Sequence, residues 1–314
     1  MSSYPPSRSL TDRLVDFFGL SISVLSLIFF IRFVNNVGVR IVYPFVPQLA
    51  SGLGLTMVGV SWLLSIRSLV GVVGPVFGVW ADRYGQREIL AFSLIGHGLG
   101  LMWLTFVQGW TAILPFILIG ISIAVLIPTL QAYVSNIVPY HRRGRSLAAV
   151  EFTWALAGII GLPVAGIMMD RLGWRMPFWL LSVLCLIGGL LIWFRLPSEL
   201  DIQTGQPDAK KVTKSFNFFQ LCKRPNVLAS IGVALCNSLA LSCFLTTWGV
   251  WLNQAFTFEA TALGFVATAI SVAELGGSGL SSLFIDRVGK RRGSMIGVLG
   301  VLGLFLLLPQ VSQW

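Results

Sequence analysis

Nine mostly apolar runs follow one another along the chain, each about long enough to cross the hydrocarbon core of a bilayer. They cover approximately residues 20–45, 56–77, 88–107, 111–137, 147–169, 176–195, 227–252, 261–284 and 293–310. A segment in lipid must satisfy its own backbone polar groups, so each run is expected to be a helix. An all-α, polytopic membrane protein of about nine transmembrane helices is the expected fold class. Composition agrees: 55% of residues are apolar and 11% charged, against about 25% charged in a soluble domain.

The formal net charge is +10. The basic residues sit mostly in short loops between spans, which is topology-setting charge rather than a nucleic-acid surface. Arg8 and Arg13 precede the first span, and Arg142, Arg143 and Arg145 follow the fourth. The loops after the odd-numbered spans hold only Arg171 and Arg175. This asymmetry predicts a cytoplasmic N-terminus, an external C-terminus and a multi-pass protein of the plasma (inner) membrane.

Residues 1–19 read as a cytoplasmic tail and 20–196 as a six-helix bundle. Residues 197–226, rich in lysine, read as a cytoplasmic linker, and 227–314 as a three-helix second part. The tail lacks the pattern of a cleaved signal, so the first span is expected to serve as its own. Cys185, Cys222, Cys236 and Cys243 have neither metal-ligand nor disulfide spacing. His97 and His141 have no metal spacing, and no phosphate-binding G-x-x-x-x-G-K-[ST] run occurs. No enzyme activity, metal or cofactor is expected.

One charged island stands out between apolar runs. It contains Gly78, Asp82, Arg83, Gly85 and Arg87. Gly85 permits the positive φ of a tight reversal. The island recurs as Asp286, Arg287, Gly289 and Arg291, with Ser282 in place of the first glycine. Two copies at matched places in the apolar pattern indicate an internal repeat. The run G-x-x-x-D-R-x-G-x-R resembles the signature loop between helices 2 and 3 of the major facilitator superfamily. The second copy stands where that family carries it, between helices 8 and 9.

Gly158, Pro163 and Gly166 on the fifth span resemble the G-x-x-x-G-P-x-x-G-G pattern of that superfamily's drug antiporters. Leu162 and Ile167 replace two of its glycines. The resemblance implies a bundle of inverted three-helix repeats, twelve helices in all, working by alternating access. It assigns the signature loop to the rocking motion. By the same resemblance, this chain ends before the counterparts of helices 10 to 12. It is then expected to be poorly stable and inactive in transport alone, as a truncated product or the partner of a second polypeptide.

Charges at membrane depth are costly and face a bundle interior or an aqueous cavity. Arg32, Asn35, Asn36, Arg40 and Tyr43 share one face of the first span. They are expected either to line a cavity, with an arginine holding an anionic group, or to bind helix 1 to its neighbours. Arg67 is a further cavity candidate. Glu274 is the candidate for reversible protonation, or else for a pair with an arginine. Glu151 is expected to act as a gate or salt bridge with a loop arginine such as Arg145. The expected function is secondary active transport of a small organic solute, coupled to an ion such as the proton, with drug-type export ahead of nutrient or metabolite uptake. A non-transporting membrane interaction partner is the alternative. The expected partners are a small-molecule solute, protons and the lipid bilayer, and no nucleic acid.

Overall fold

A computed structural model describes residues 20–71, 74, 85–197 and 225–311. The N-terminal tail, most of the linker, and the signature residues Gly78, Asp82 and Arg83 lie outside the described residues. The backbone at Asp286, Arg287 and Arg291 is helical, and their side chains also lie outside the description. Among the described residues all regular structure is helical.

The first helix, α1 (Ile22–Arg40), starts after an extended Ser21 and ends short of Pro44. A turn leads into α2 (Val46–Leu53), which Gly54 closes in the left-handed region at φ 66°. Thr56 then caps α3 (Met57–Val70) by accepting the Gly59 N–H at 3.0 Å. Helices α2 and α3 meet at a bend of 105°. The helix α4 (Gln86–Leu104) follows Gly85, whose φ is 98°. Next come α5 (Ile113–Ile137), α6 (Arg143–Leu156), α7 (Leu162–Leu172) and α8 (Met176–Arg195). Beyond the linker stand α9 (Pro225–Phe256), α10 (Ala260–Val288) and α11 (Lys290–Val311).

The repeat read from the sequence reappears in the backbone. Gly289, the counterpart of Gly85, has φ 87° and separates α10 from α11 as Gly85 precedes α4. Both sites need a residue without a Cβ to turn the chain this way.

Among the described residues, six helical stretches are long and apolar enough to cross a membrane: Ile22–Arg40, Gly109–Ile137, Tyr140–Leu172, Met176–Arg195, Val227–Phe256 and Ala260–Leu280. The bent pair of α2 and α3 makes a seventh. The third and ninth runs read from the sequence are helical as α4 and α11 but do not reach that measure. Helix α4 opens with Gln86, Arg87 and Glu88 and carries His97.

The fifth apolar run is one broken helix, and Pro163 explains the break. Proline has no N–H to return to the carbonyl four residues back and crowds that carbonyl. The ladder widens here into a π-turn over Ala157–Gly161 between α6 and α7. The carbonyl left over is that of Ile159. It accepts a bond from Thr268 Oγ1 of α10 at 3.3 Å. A neighbouring helix thus satisfies the freed group, as lipid requires.

The chain divides into two compact units, residues 1–268 and 269–314. The first includes α9 and the start of α10. Backbone meets backbone where these pack on the earlier helices. A Cβ on Gly166 would strike the Ala260 carbonyl, and one on Gly264 would press on Leu162 and Pro163. A Cβ on Gly249 would do the same at Pro44. The α4–α8 seam also closes over glycines, with Gly98 against Cys185 and the Ser182 carbonyl and Gly189 against Ile95, and aromatic pairs bridge its surface. Phe92 meets Trp193 edge-on at 5.6 Å, and Phe106 meets Trp179 at 5.3 Å between centroids. The second unit comprises the rest of α10 and α11, with many apolar side chains outward.

Candidate functional site

Helix α1 is the hub of a buried polar cluster. Its second half is buried on nearly every side, so polar residues there must find partners on neighbouring helices. Arg32 is 4% exposed, and its Nη2 donates to Glu151 Oε1 of α6 at 3.2 Å and to Oε2 at 3.4 Å. The Nε2 of Gln131, from α5, donates to the same carboxylate at 3.1 Å. One turn along α1, Asn36 Nδ2 donates to Thr153 Oγ1 at 2.9 Å. One turn further, Arg40 Nη1 donates to the Trp154 carbonyl at 3.1 Å, and its guanidinium lies 4.7 Å from that indole's centroid. Residues 32, 36 and 40 are each four apart, so this row follows α1 along α6.

The remaining polar residues of α1 turn to other helices. Asn35 Oδ1 faces His97 Nδ1 of α4 at 2.9 Å. With a carbonyl oxygen opposite it, Nδ1 is the donor and Nε2 carries the ring's lone pair. Gly38 lies against that ring: an added Cβ would approach Nε2 to 2.9 Å. Arg67 of α3 is 5% exposed and donates through Nη2 to the Tyr43 hydroxyl at 2.8 Å. Its Nη1 reaches the Val39 carbonyl at 3.5 Å.

The cluster is not fully satisfied. Arg32 Nε and Nη1, Asn35 Nδ2, Asn36 Oδ1 and His97 Nε2 are buried without a hydrogen-bond partner among the described residues. Buried polar groups are nearly always paired in folded proteins. Here donors and acceptors collect around one stretch of α1, which gives the cluster chemical capacity for a polar group.

The structure thus joins Arg32, Asn35, Asn36, Arg40, Tyr43 and Arg67 in one cluster through α1, with the half-exposed Glu151 at its edge, and the α1 stripe is taken up in helix-to-helix bonds. The ion partner of Glu151 is Arg32, where the sequence pointed to Arg145. Residues six apart on a helix are rotated by about 240° and face different sides. Arg145 stands exposed in the first turn of α6. Glu274 lies in the second unit, partly exposed, and its backbone carbonyl accepts from Ser278 Oγ at 2.8 Å. Gly158, Pro163 and Gly166 are buried, and the last two form the contact with the start of α10.

Three participants escaped the sequence reading. Thr153 and Gln131 are ordinary residues of apolar runs. Asp170 ends α7 and accepts the backbone N–H groups of Ala260 at 3.3 Å and Thr261 at 2.7 Å. It caps the first turn of α10 from another helix. The signal was there to find: no Ser, Thr, Asn or Asp stands just before Ala260 to do so locally.

Comparison with known proteins follows the same lines. The model of the Major Facilitator Superfamily matches residues 28–314. The uncharacterized MFS-type transporter YwfA of Bacillus subtilis (strain 168) is 24% identical over 288 residues, which are 87% of this chain and 69% of that protein. Multidrug resistance protein 2 of the same organism is 26% identical over 247 residues, 76% of this chain and 61% of that one. The chain therefore spans between 61% and 69% of the length of these two relatives. Among solved structures, the crystal structure of D-xylose-proton symporter superposes with a TM-score of 0.68 at 16% identity. That match covers 91% of this chain and 74% of the symporter, and it shows the fold. With a family model spanning nearly its whole length, this membrane-embedded helical chain belongs to the Major Facilitator Superfamily of transporters.

Proposed function

We propose that the chain acts in secondary active transport, moving a small organic solute by alternating access with an ion, the proton first among candidates, as the coupled species. The observation that carries this reading is the α1 cluster, where Arg32, 4% exposed, forms an ion pair with the half-exposed Glu151 carboxylate. Charges in that setting are costly and mark solute or ion pathways. Arg32, Asn35 and Asn36 hold the unpaired atoms and are the residues assigned to solute recognition. Arg40, Tyr43 and Arg67 support them. Glu274 is assigned to proton coupling and the signature loop to the rocking motion. Drug-type export stands ahead of uptake, since Multidrug resistance protein 2 is among the relatives.

The test is a solute panel offered to the chain in liposomes, beside a full-length relative with the same α1 residues. Saturable binding by the chain, reduced about tenfold or more by Arg32→Gln, is the expected result, with gradient-driven flux in the relative. The tenfold figure is the loss of one charge-assisted contact. No solute bound by either protein would favour the alternative, a membrane interaction partner.

The topology follows from the loop charges: an N-terminus and a 197–226 linker in the cytoplasm of the plasma membrane. Reporters fused after Lys214 and after Trp314 are expected on opposite sides. Both on one side would remove the nine-span reading.

A further inference from the structure

The first half of α1 and the last turns of α8 leave a cleft between them. A cavity of about 430 Å³ is lined by Ser23, Ser26, Leu27, Phe30, Leu191 and Arg195. It shares Ser26 and Phe30 with a second, of about 510 Å³, which reaches Phe33 and Ile160. A third, of about 140 Å³, shares those two residues and extends to Val37 and Leu184. From Ser23 to Val37 the helix rises about 21 Å, roughly two-thirds of the hydrocarbon core.

The walls are apolar except at one mouth. There Arg195 is exposed and forms no hydrogen bond or ion pair among the described residues. The serine hydroxyls turn to local partners: Ser26 Oγ donates to the Ser23 carbonyl at 3.1 Å, and Ser23 Oγ pairs with Ser21 Oγ at 3.3 Å. Among the described residues, Arg195 is thus the one charged side chain lining the mouth.

Its surroundings mark a headgroup level. Trp193, exposed at the surface, lies beneath the Arg87 guanidinium, 5.9 Å from the ring centroid, and Phe194 points outward. Tryptophan and arginine concentrate at the membrane–water boundary. Among the described residues, one unpaired cation at that boundary opens on an apolar cleft along a membrane helix, an arrangement complementary to a molecule with one anionic end and one long apolar tail.

We infer that this cleft holds a phospholipid with an anionic headgroup, its phosphate on Arg195 and an acyl chain laid along α1. This site is separate from the α1 cluster and does not depend on any solute being carried. The loop charges place the mouth in the inner leaflet.

Native mass spectrometry of the detergent-solubilised chain tests it, with phosphatidylglycerol and phosphatidylcholine offered in equal amounts. Phosphatidylglycerol is expected to be retained about fivefold better, the worth of one basic residue at a charged membrane surface. Arg195→Gln is expected to abolish the preference and Arg195→Lys to keep it. Ser26→Trp, which fills the mouth without altering charge, is expected to lower retention of both lipids. Soluble glycerol phosphate is expected not to displace the lipid. An equal preference in the unaltered chain, or an undiminished one in Arg195→Gln, overturns the inference. So does displacement by glycerol phosphate, which would leave a headgroup site with no use for the cleft. Tighter retention of an amphipathic drug than of phosphatidylglycerol would assign the cleft to another occupant.

Discussion

Replacing Glu151 by leucine is expected to destabilise the chain by about 2–3 kcal/mol and to be rescued by removing its partner. The side chain touches Arg32, whose guanidinium is 4% exposed, and the pair is 3.2 Å apart. Breaking a buried ion pair from one side costs about 3–5 kcal/mol, because the other charge stays behind unmatched. Glu151 is itself 49% exposed, so part of that cost is relieved and the lower figure applies. The double change Arg32→Met with Glu151→Leu leaves no unpaired charge and is expected within about 1 kcal/mol of the parent. Solute binding should not return with stability, since the recognising guanidinium is gone. Urea unfolding of the parent, the Glu151→Leu variant and the double variant in one detergent gives the comparison. A single Glu151→Leu protein as stable as the double variant would show that the pair is not a unit.

A second large effect is expected at Gly166. Its α-carbon faces the Ala260 carbonyl so closely that a methyl group has no room. Backbone lies on both sides, so no rotamer change relieves the contact, and the start of α10 must move. Overpacking of this kind costs about 1–3 kcal/mol. The movement would also pull Ala260 and Thr261 from the Asp170 carboxylate that accepts their N–H groups. In a Thr261→Cys background, Gly166→Ala is expected to raise the rate of labelling by a water-soluble maleimide about tenfold or more. Asp170→Ala, which removes the cap and leaves the close contact in place, is expected to raise it about fivefold, as befits about 1 kcal/mol. Labelling of Gly166→Ala at the parent rate would mean that α7 and α10 do not hold each other in this way.

Much of the fold was legible because lipid allows few choices. The apolar runs marked the helices, and the repeated Asp-Arg-x-Gly marked two matching turns, seen as the positive φ at Gly85 and Gly289. The α1 stripe was legible as a polar face, since spacing of three and four residues survives in any helix. Spacing along one helix does not say which neighbour it meets. That is why Arg32 was placed on a polar face but its partner Glu151 was assigned to Arg145. His97 was read as lacking metal-ligand spacing, and nothing near it in sequence announces Asn35, which lies 62 residues away. The Pro163 region was read from its glycines, yet the Thr268 bond to the Ile159 carbonyl depends on a helix beyond the linker.

The two kinds of seam in the first unit differ in how they come apart. Between α4 and α8 the glycines meet side chains, Gly98 the Cβ of Cys185 and Gly189 the Ile95 side chain, and aromatic pairs bridge the surface. Between α7 and α10 the surfaces in contact are bare main chain at Gly166 and Gly264, fastened at the end by one carboxylate. Parting there breaks the Asp170 and Thr268 bonds and leaves both surfaces ready to meet again in the same register. Such a joint behaves as a slip plane, with little friction and a single catch. Its opening rate should therefore be set by that catch and by the glycines, and should be largely indifferent to side chains elsewhere in the bundle.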